Sequence, residues 1–437
     1  MDSKVDYVTM RISDREYKTT EQKNMMLFLF GRFVSLFGTS VYNFAISFYV
    51  LKVTGSGLSF AISLALGTIP SIICGPVSAV LTDRVNRKKM IVFMDGISGM
   101  MVLGLLATAT VDQLSIPYIY ITTVLLSICH TFFDTPMGAS IPNLVSRDSL
   151  PKINSWNEAV TSITNMAGPF LGGLIFAFVD IKAFLLINAV SFFISGISMM
   201  GIDFNLNKRN EANEEAAQNM TLSASDRGFV AELRSGIRYI VNEKWMKALL
   251  SFFVFLNFFM TFGMAVPIPY IVNEVLRLST VQFGIIEAMF PFGVLVGSII
   301  FSVSKGNISN FRKMIQSFVV IDIGVLLLGI VTCTSLFTLG NAAYFAIIAF
   351  LFFIVSAAVP FIMIPVNIML QSRVPDEMRG KVLGLLGTIA TLLIPLASIL
   401  SGTLLDSIPA YMLPVFSALI LFVLTFFMYR SEELRKI

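Results

Sequence analysis

The sequence predicts an all-α integral membrane protein with 12 transmembrane helices in two six-helix pseudo-symmetric halves. Three observations carry this expectation. Of 437 residues, 56% are hydrophobic and only 13% charged, with 40 Phe, 23 Met and a mean hydropathy of +0.81. That is more apolar surface than one water-soluble core can bury, and it points to the bilayer as solvent. A helix needs about 20 apolar residues to cross a hydrocarbon core of roughly 30 Å. Runs of that size recur near 25–52, 57–82, 90–110, 116–143, 153–178, 183–203, 246–272, 280–303, 314–334, 341–371, 381–405 and 409–430. A single long hydrophilic stretch, 204–245, separates the first six from the last six. The runs lack the alternation of a membrane barrel, and irregular backbone facing lipid would leave its amides unpaired, so helices are the expected spanning form.

Taken in order, residues 1–24 are a polar cytoplasmic segment with no apolar stretch before a cleavage site, so the first run is expected to insert by itself. Residues 25–203 form the first bundle, 204–245 a cytoplasmic linker, 246–430 the second bundle and 431–437 a cytoplasmic tail. Within the linker, Phe229, Leu233, Ile237, Ile240 and Val241 recur at helical spacing, which predicts an amphipathic helix on the membrane surface. Orientation follows from the positive charges. With the N-terminus inside, all 31 Lys and Arg except Lys52, Lys182, Arg277 and the intrahelical Arg32 fall on the inner side, which puts both termini in the cytoplasm. The formal net charge of +4 then reflects topology and contact with membrane lipids, and no nucleic-acid partner is implied. Cys74, Cys129 and Cys333 lie inside apolar runs without paired spacing and read as core residues. The halves echo each other: Asp95 and Asp322 sit just inside the third and ninth runs, and the loop SRDSLPK has a counterpart in VPDEMRGK. Two halves of like orientation are the parallel repeat of a secondary transporter.

The segment Ala79 to Lys89 joins the second and third runs. It resembles the signature loop of the major facilitator superfamily, Gly-x-x-x-Asp-Arg-x-Gly-Arg-Arg/Lys: Asp83, Arg84, Arg87 and Lys88 match, while Ala79 and Asn86 replace glycines. The resemblance implies a breakable cytoplasmic latch, in which a carboxylate at a helix end caps a neighbouring helix and pairs with arginines. Asp95 and Asp322 are expected to join that network. In the fifth run, Gly168-Pro169-Phe170-Leu171-Gly172-Gly173 resembles the core of the motif of the superfamily's exporters, with Thr164 in place of its first glycine. Its small residues let backbones approach closely and its proline bends the helix. Further likeness lies at Gly31-Arg32-x-x-Ser35-x-x-Gly38, Ile141 to Val145, Glu232 to Tyr239 and Val374 to Lys381. Together these are similar to the branch that holds macrolide-efflux proteins and the enterobactin exporter. The resemblance implies a monomeric secondary active transporter in a bacterial inner membrane. It would export lipophilic, macrolide-like drugs from the cytoplasm by proton antiport and alternating access. Export of an endogenous amphiphile, such as a siderophore or lysophospholipid, is the alternative, and a non-transporting receptor or scaffold a remote one.

Polar groups inside a bilayer are costly and mark candidate sites. Thr123, Ser127, His130 and Asp134 follow at spacings of four, three and four, so they share one face of the fourth helix. His130 is the one histidine and lies a turn from Asp134, and the pair is expected to exchange coupling protons near neutral pH. The family's proton-coupling motif places an arginine in this helix, and residues 116–143 contain none, so the pair stands as its substitute. Asn154, Asn157, Glu158, Thr161, Asn165, Gly168 and Gly172 form a second polar stripe on the fifth helix. Glu158 and Glu287 are further proton-coupling candidates; Glu158 could instead only bind the inner loops, and Glu287 could also attract cations. Arg32 either snorkels to the interface or faces the cavity. With it, Asn43, Thr123, Ser127, Asn165 and Asn257 are cavity candidates. Abundant Phe and Met suit an adaptable apolar cavity. The one Gly-Lys pair, Gly380-Lys381, is followed by Val382, so no phosphate-binding loop appears, and neither His-Glu-x-x-His nor Gly-x-Ser-x-Gly occurs. No enzyme, cofactor or metal is implied.

Overall fold

The computed structural model describes residues 2–109, 114–204, 206, 237–303 and 310–431, and among them regular structure is helical throughout. The first six long helices are α1 (Asp2–Thr54), α2 (Gly57–Arg84), α3 (Arg87–Ala107), α4 (Ile116–Leu144), α5 (Leu150–Phe178) and α6 (Ile181–Met200). After the linker come α7 (Lys244–Met260, continued to Val275), α8 (Thr280–Val303) and α9 (Asn310–Val331). The last three are α10 (Asn341–Ala358, resumed by Pro360–Arg373), α11 (Asp376–Thr391, resumed by Ile394–Leu405) and α12 (Met412–Arg430). Among the described residues, 11 helices are long and apolar enough to cross a membrane, and α5, with 29 residues, has the length of a twelfth.

Local chemistry sets many of these ends. Gly55 takes the left-handed conformation at φ 62° and closes α1 through its N–H to the Leu51 carbonyl at 2.8 Å. Asn86 caps α3 by accepting the Lys89 N–H at 3.1 Å, and Asp180 caps α6 through the Lys182 N–H at 2.9 Å. α10 and α11 are interrupted beside Pro360 and Pro395, which lack the N–H an uninterrupted helix needs. The polar segment that precedes the first span is already helical from Asp2. Residues 1–24 hold neither Gly nor Pro, so no breaker separates it from the span. In the linker, residues 237–242 are helical, and Phe229 and Leu233 of the expected amphipathic stripe lie outside the described residues.

α7 contains two π-helical turns, Thr261–Ala265 and Ile271–Val275. In the first, the Val266 N–H reaches back five residues to the Thr261 carbonyl at 3.3 Å. The Phe262 carbonyl is taken instead by the Ser401 hydroxyl of α11 at 2.9 Å. Pro267 follows, with no amide of its own to place.

Packing divides the chain into two compact units. One comprises Met1–Tyr42, Pro70–Gly168 and Asp180–Asp226; the other comprises Asn43–Ile69, Pro169–Val179 and Arg227–Ile437. In the first, α3 packs on α4 and α6. There the Ser195 hydroxyl donates to the Gly31 carbonyl at 2.9 Å, and the Asn188 amide to the Gly38 carbonyl at 2.8 Å. In the second, α9 packs on α10 and α12, and the Ser417 hydroxyl donates to the Phe259 carbonyl at 2.6 Å. The same scheme thus recurs: a third helix between a fourth and a sixth, and a sixth-helix serine fastened to first-helix backbone. α8 meets α10 where Gly293 and Gly297 admit Ser356 and Ala357 against bare backbone. Large apolar side chains such as Ile73, Phe178, Val303 and Phe427 remain exposed, as a lipid-facing surface requires.

Candidate functional site

In the first unit, Arg32 of α1 meets Asp134 of α4, with Nη1 2.9 Å from Oδ1. The arginine side chain is 7% exposed and the aspartate 42%. Arg32 therefore does not snorkel to the interface; it lies within the unit and is held by one carboxylate. The contact is close without being aligned as a hydrogen bond, and Arg32 Nε has no hydrogen-bond partner among the described residues. Charge attraction is what holds this pair. His130, one turn from Asp134 on α4, has both charged groups as neighbours. Two helical turns away on the same face, the Thr123 hydroxyl is buried and faces the Tyr42 hydroxyl of α1, while Ser127 is also buried.

Two cations at the α2–α3 junction, Arg87 and Lys88, are engaged by helix carbonyls. Arg87 donates from Nη1 to the Ala139 carbonyl of α4 at 2.7 Å and from Nε to the Thr82 carbonyl of α2 at 3.4 Å. Lys88 donates to the Ile202 carbonyl just past α6 at 2.8 Å. Cations at helix C-terminal ends complement the helix dipole, and here they tie three helix ends together. Arg84 is exposed, and the Asp83 side chain lies outside the described ones.

Asp95 and Asp322, expected in this latch, are placed elsewhere. Asp95 is 1% exposed and accepts the Ser35 hydroxyl of α1 at 2.9 Å; Asp322 is fully buried and accepts the Thr425 hydroxyl of α12 at 2.7 Å. Asp95 stands eight residues into α3, about 12 Å from its start at roughly 1.5 Å per residue, beyond the reach of the loop. Each aspartate instead cross-links helices inside its own unit.

On α5, a side chain at Gly168 would overlap Ser40 of α1, so the two helices cross with no room between them. Gly172 is also buried, Glu158 is exposed, and positions 165, 169 and 173 lie outside the described side chains.

In the second unit, Glu287 sits on α8 one turn from Phe283, with neither a hydrogen-bond nor an ion-pair partner among the described residues. Phe283 stacks on Phe48 with ring centroids 4.6 Å apart and on Phe44 at 6.0 Å. Asn43 packs against Gly67 of α2, and the Asn257 amide is used within α7, donating to the Phe253 carbonyl at 2.9 Å. Asp406, at the end of α11, went unnoticed in the sequence. Its carboxylate accepts the Gly57 N–H at 2.9 Å, the Ser56 hydroxyl at 2.9 Å and the Leu58 N–H at 3.4 Å, so it caps α2. Contact is close there: a Cβ on Gly57 would lie 2.7 Å from Leu405 Cβ, and one on Gly402 would overlap Ala61. Among the described residues, no three His, Cys, Asp or Glu side chains gather as a metal site.

Macrolide efflux protein A of Streptococcus pyogenes is 25% identical over 380 residues, which cover 86% of this chain and 88% of that protein. The multidrug efflux pump Tap of Mycolicibacterium fortuitum is 23% identical over 406 residues, 89% of this chain and 90% of its own. Among solved structures, a bacterial homologue of the iron transporter ferroportin in the inward-facing state is similar with a TM-score of 0.62 at 14% identity, over 93% of this chain and 98% of that one. A D-xylose-proton symporter is similar with a TM-score of 0.63 at 14% identity, over 92% and 97%. The Major Facilitator Superfamily profile itself matches residues 28–398, from α1 into α11. With that profile running through a fold whose third-helix packing repeats in its second unit, the chain belongs to the Major Facilitator Superfamily of multi-pass membrane transporters.

Proposed function

We propose that this transporter exports lipophilic, macrolide-like drugs from the cytoplasm by proton antiport, with Arg32, Asp134 and His130 as its coupling machinery. One observation carries the reading: a buried guanidinium is held by a single, partly open carboxylate one helical turn from the only histidine. A proton arriving on Asp134 cancels the charge that retains Arg32, and the His130 imidazole one turn away offers a relay for it. Breaking the pair removes one charged tie between α1 and α4, a contact with two arrangements that a transport cycle could exploit. The likeness to efflux proteins over most of the chain supports the substrate class. The excess of Lys and Arg on the α2–α3 loop side supports a cytoplasmic placement of that side.

The test is expression in a drug-sensitive bacterium, with accumulation of a macrolide and of a lipophilic dye measured with and without a protonophore. Lowered accumulation that the protonophore restores is the expected result. Asp134→Asn combined with His130→Ala should abolish gradient-driven export and leave downhill movement. If every probe accumulates as in cells without the protein, drug efflux is wrong, and lysophospholipid and siderophore release become the assays to run.

A further inference from the structure

At the end of the first unit that carries the α2–α3 loop, a groove of about 700 Å³ opens between α2, α3 and α6. Met90 lies buried in it, and Leu81, Val85, Phe93 and Met200 form apolar walls. Phe93 is 63% exposed and Met200 57%, although both belong to membrane-spanning helices. The mouth is cationic. Lys88 and Lys89 both border it; Lys88 is engaged with the Ile202 carbonyl, whereas Lys89 is exposed and has no ion-pair partner among the described residues. The first turn of α3 lies alongside, its dipole adding positive potential.

We propose that this groove binds an anionic phospholipid of the adjoining leaflet, with an acyl chain along Leu81, Phe93 and Met200 and the phosphate on Lys89. The pairing of an apolar trough with a charged rim calls for a ligand that is itself apolar at one end and anionic at the other. The bilayer supplies that ligand at high local concentration, and basic pockets beside transmembrane helices are suited to such headgroups. A free phosphate would leave the apolar walls unused. The assignment is independent of what the transporter carries.

The experiment uses the full-length protein in phosphatidylcholine vesicles with a Phe93→Trp substitution, after subtracting the emission of the parent protein with Trp156 and Trp245. Brominated phosphatidylglycerol and brominated phosphatidylcholine are compared as quenchers. Phosphatidylglycerol should quench at an about fivefold lower mole fraction, the factor expected of one surface lysine. Lys89→Gln should erase that preference and Lys89→Arg should keep it. Met200→Trp reports from the opposite wall should Phe93→Trp fail to fold. Equal quenching by the two lipids, a preference that survives Lys89→Gln, or one removed by millimolar inorganic phosphate would each overturn the assignment.

Discussion

Asp406 accepts the backbone N–H of Gly57 at 2.9 Å, so a residue at the end of α11 caps a helix that begins 349 positions earlier in the chain. The same carboxylate takes the Leu58 N–H and the Ser56 hydroxyl. An anion at this position satisfies orphan amides and meets the positive end of the α2 dipole.

Removing it should therefore be visible at the amides themselves. Loss of a cap costs about 1 kcal/mol, which corresponds to roughly fivefold faster exchange. In Asp406→Ala, hydrogen exchange at Gly57 and Leu58 should accelerate by about that factor, with amides in the middle of α2 unchanged. Identical exchange in parent and variant would mean that the carboxylate protects nothing.

The ion pair makes a different demand. Asp134→Asn leaves the Arg32 guanidinium buried without a counter-charge and should destabilise the protein by about 2 kcal/mol. This is less than the roughly 3–5 kcal/mol of a fully buried pair, because the Asp134 side chain keeps 42% exposure. Arg32→Met with Asp134→Leu should restore the thermal unfolding midpoint and still fail to drive uphill transport. A double variant that pumps normally would reduce the pair to a structural contact.

Two glycines should respond unequally to alanine. At Gly168 the obstacle is mainly the Ser40 side chain, so Gly168→Ala should cost about 1–3 kcal/mol and be largely rescued by Ser40→Gly. At Gly297 the obstacle is the Ala357 backbone, which no trimming can remove. Unfolding midpoints of Gly297→Ala with and without substitutions at Ala357 should be equally low; recovery on substituting Ala357 would contradict the assigned contact.

Glu287 bears on substrate charge. If its carboxylate attracts cations in transit, Glu287→Gln should reduce efflux of a permanently cationic dye at least several-fold and spare a neutral lipophilic drug. Equal losses for the two probes would assign Glu287 to proton movement or to folding instead.

The helices were legible because a bilayer span needs a long apolar run, and such runs stand out without any partner being known. The loop at Asp83–Lys88 and the glycines of α5 were legible as motifs. What resisted was pairing. Arg32 and Asp134 were each recognisable as costly intramembrane charges, yet their meeting depends on the rotation and depth of two helices. Asp95 and Asp322 were placed by proximity to a loop, whereas the hydroxyls of Ser35 and Thr425 on neighbouring helices claim them. Asp406 carried no local signal, since the amides it serves belong to a distant part of the chain. Lys88, read as part of a latch, carries a bond to the Ile202 carbonyl that no local pattern announces.

The π-helical turns of α7 have a practical outcome for anyone mapping that helix by substitution. Each wide turn inserts one residue beyond the ordinary register, and so swings every later side chain by about 100°. A cysteine-accessibility scan through 244–275 should follow one helical wheel as far as Met260 and then slip phase, twice, before the helix ends. A single wheel drawn for the whole segment would assign the stretch around Pro267 to the wrong side.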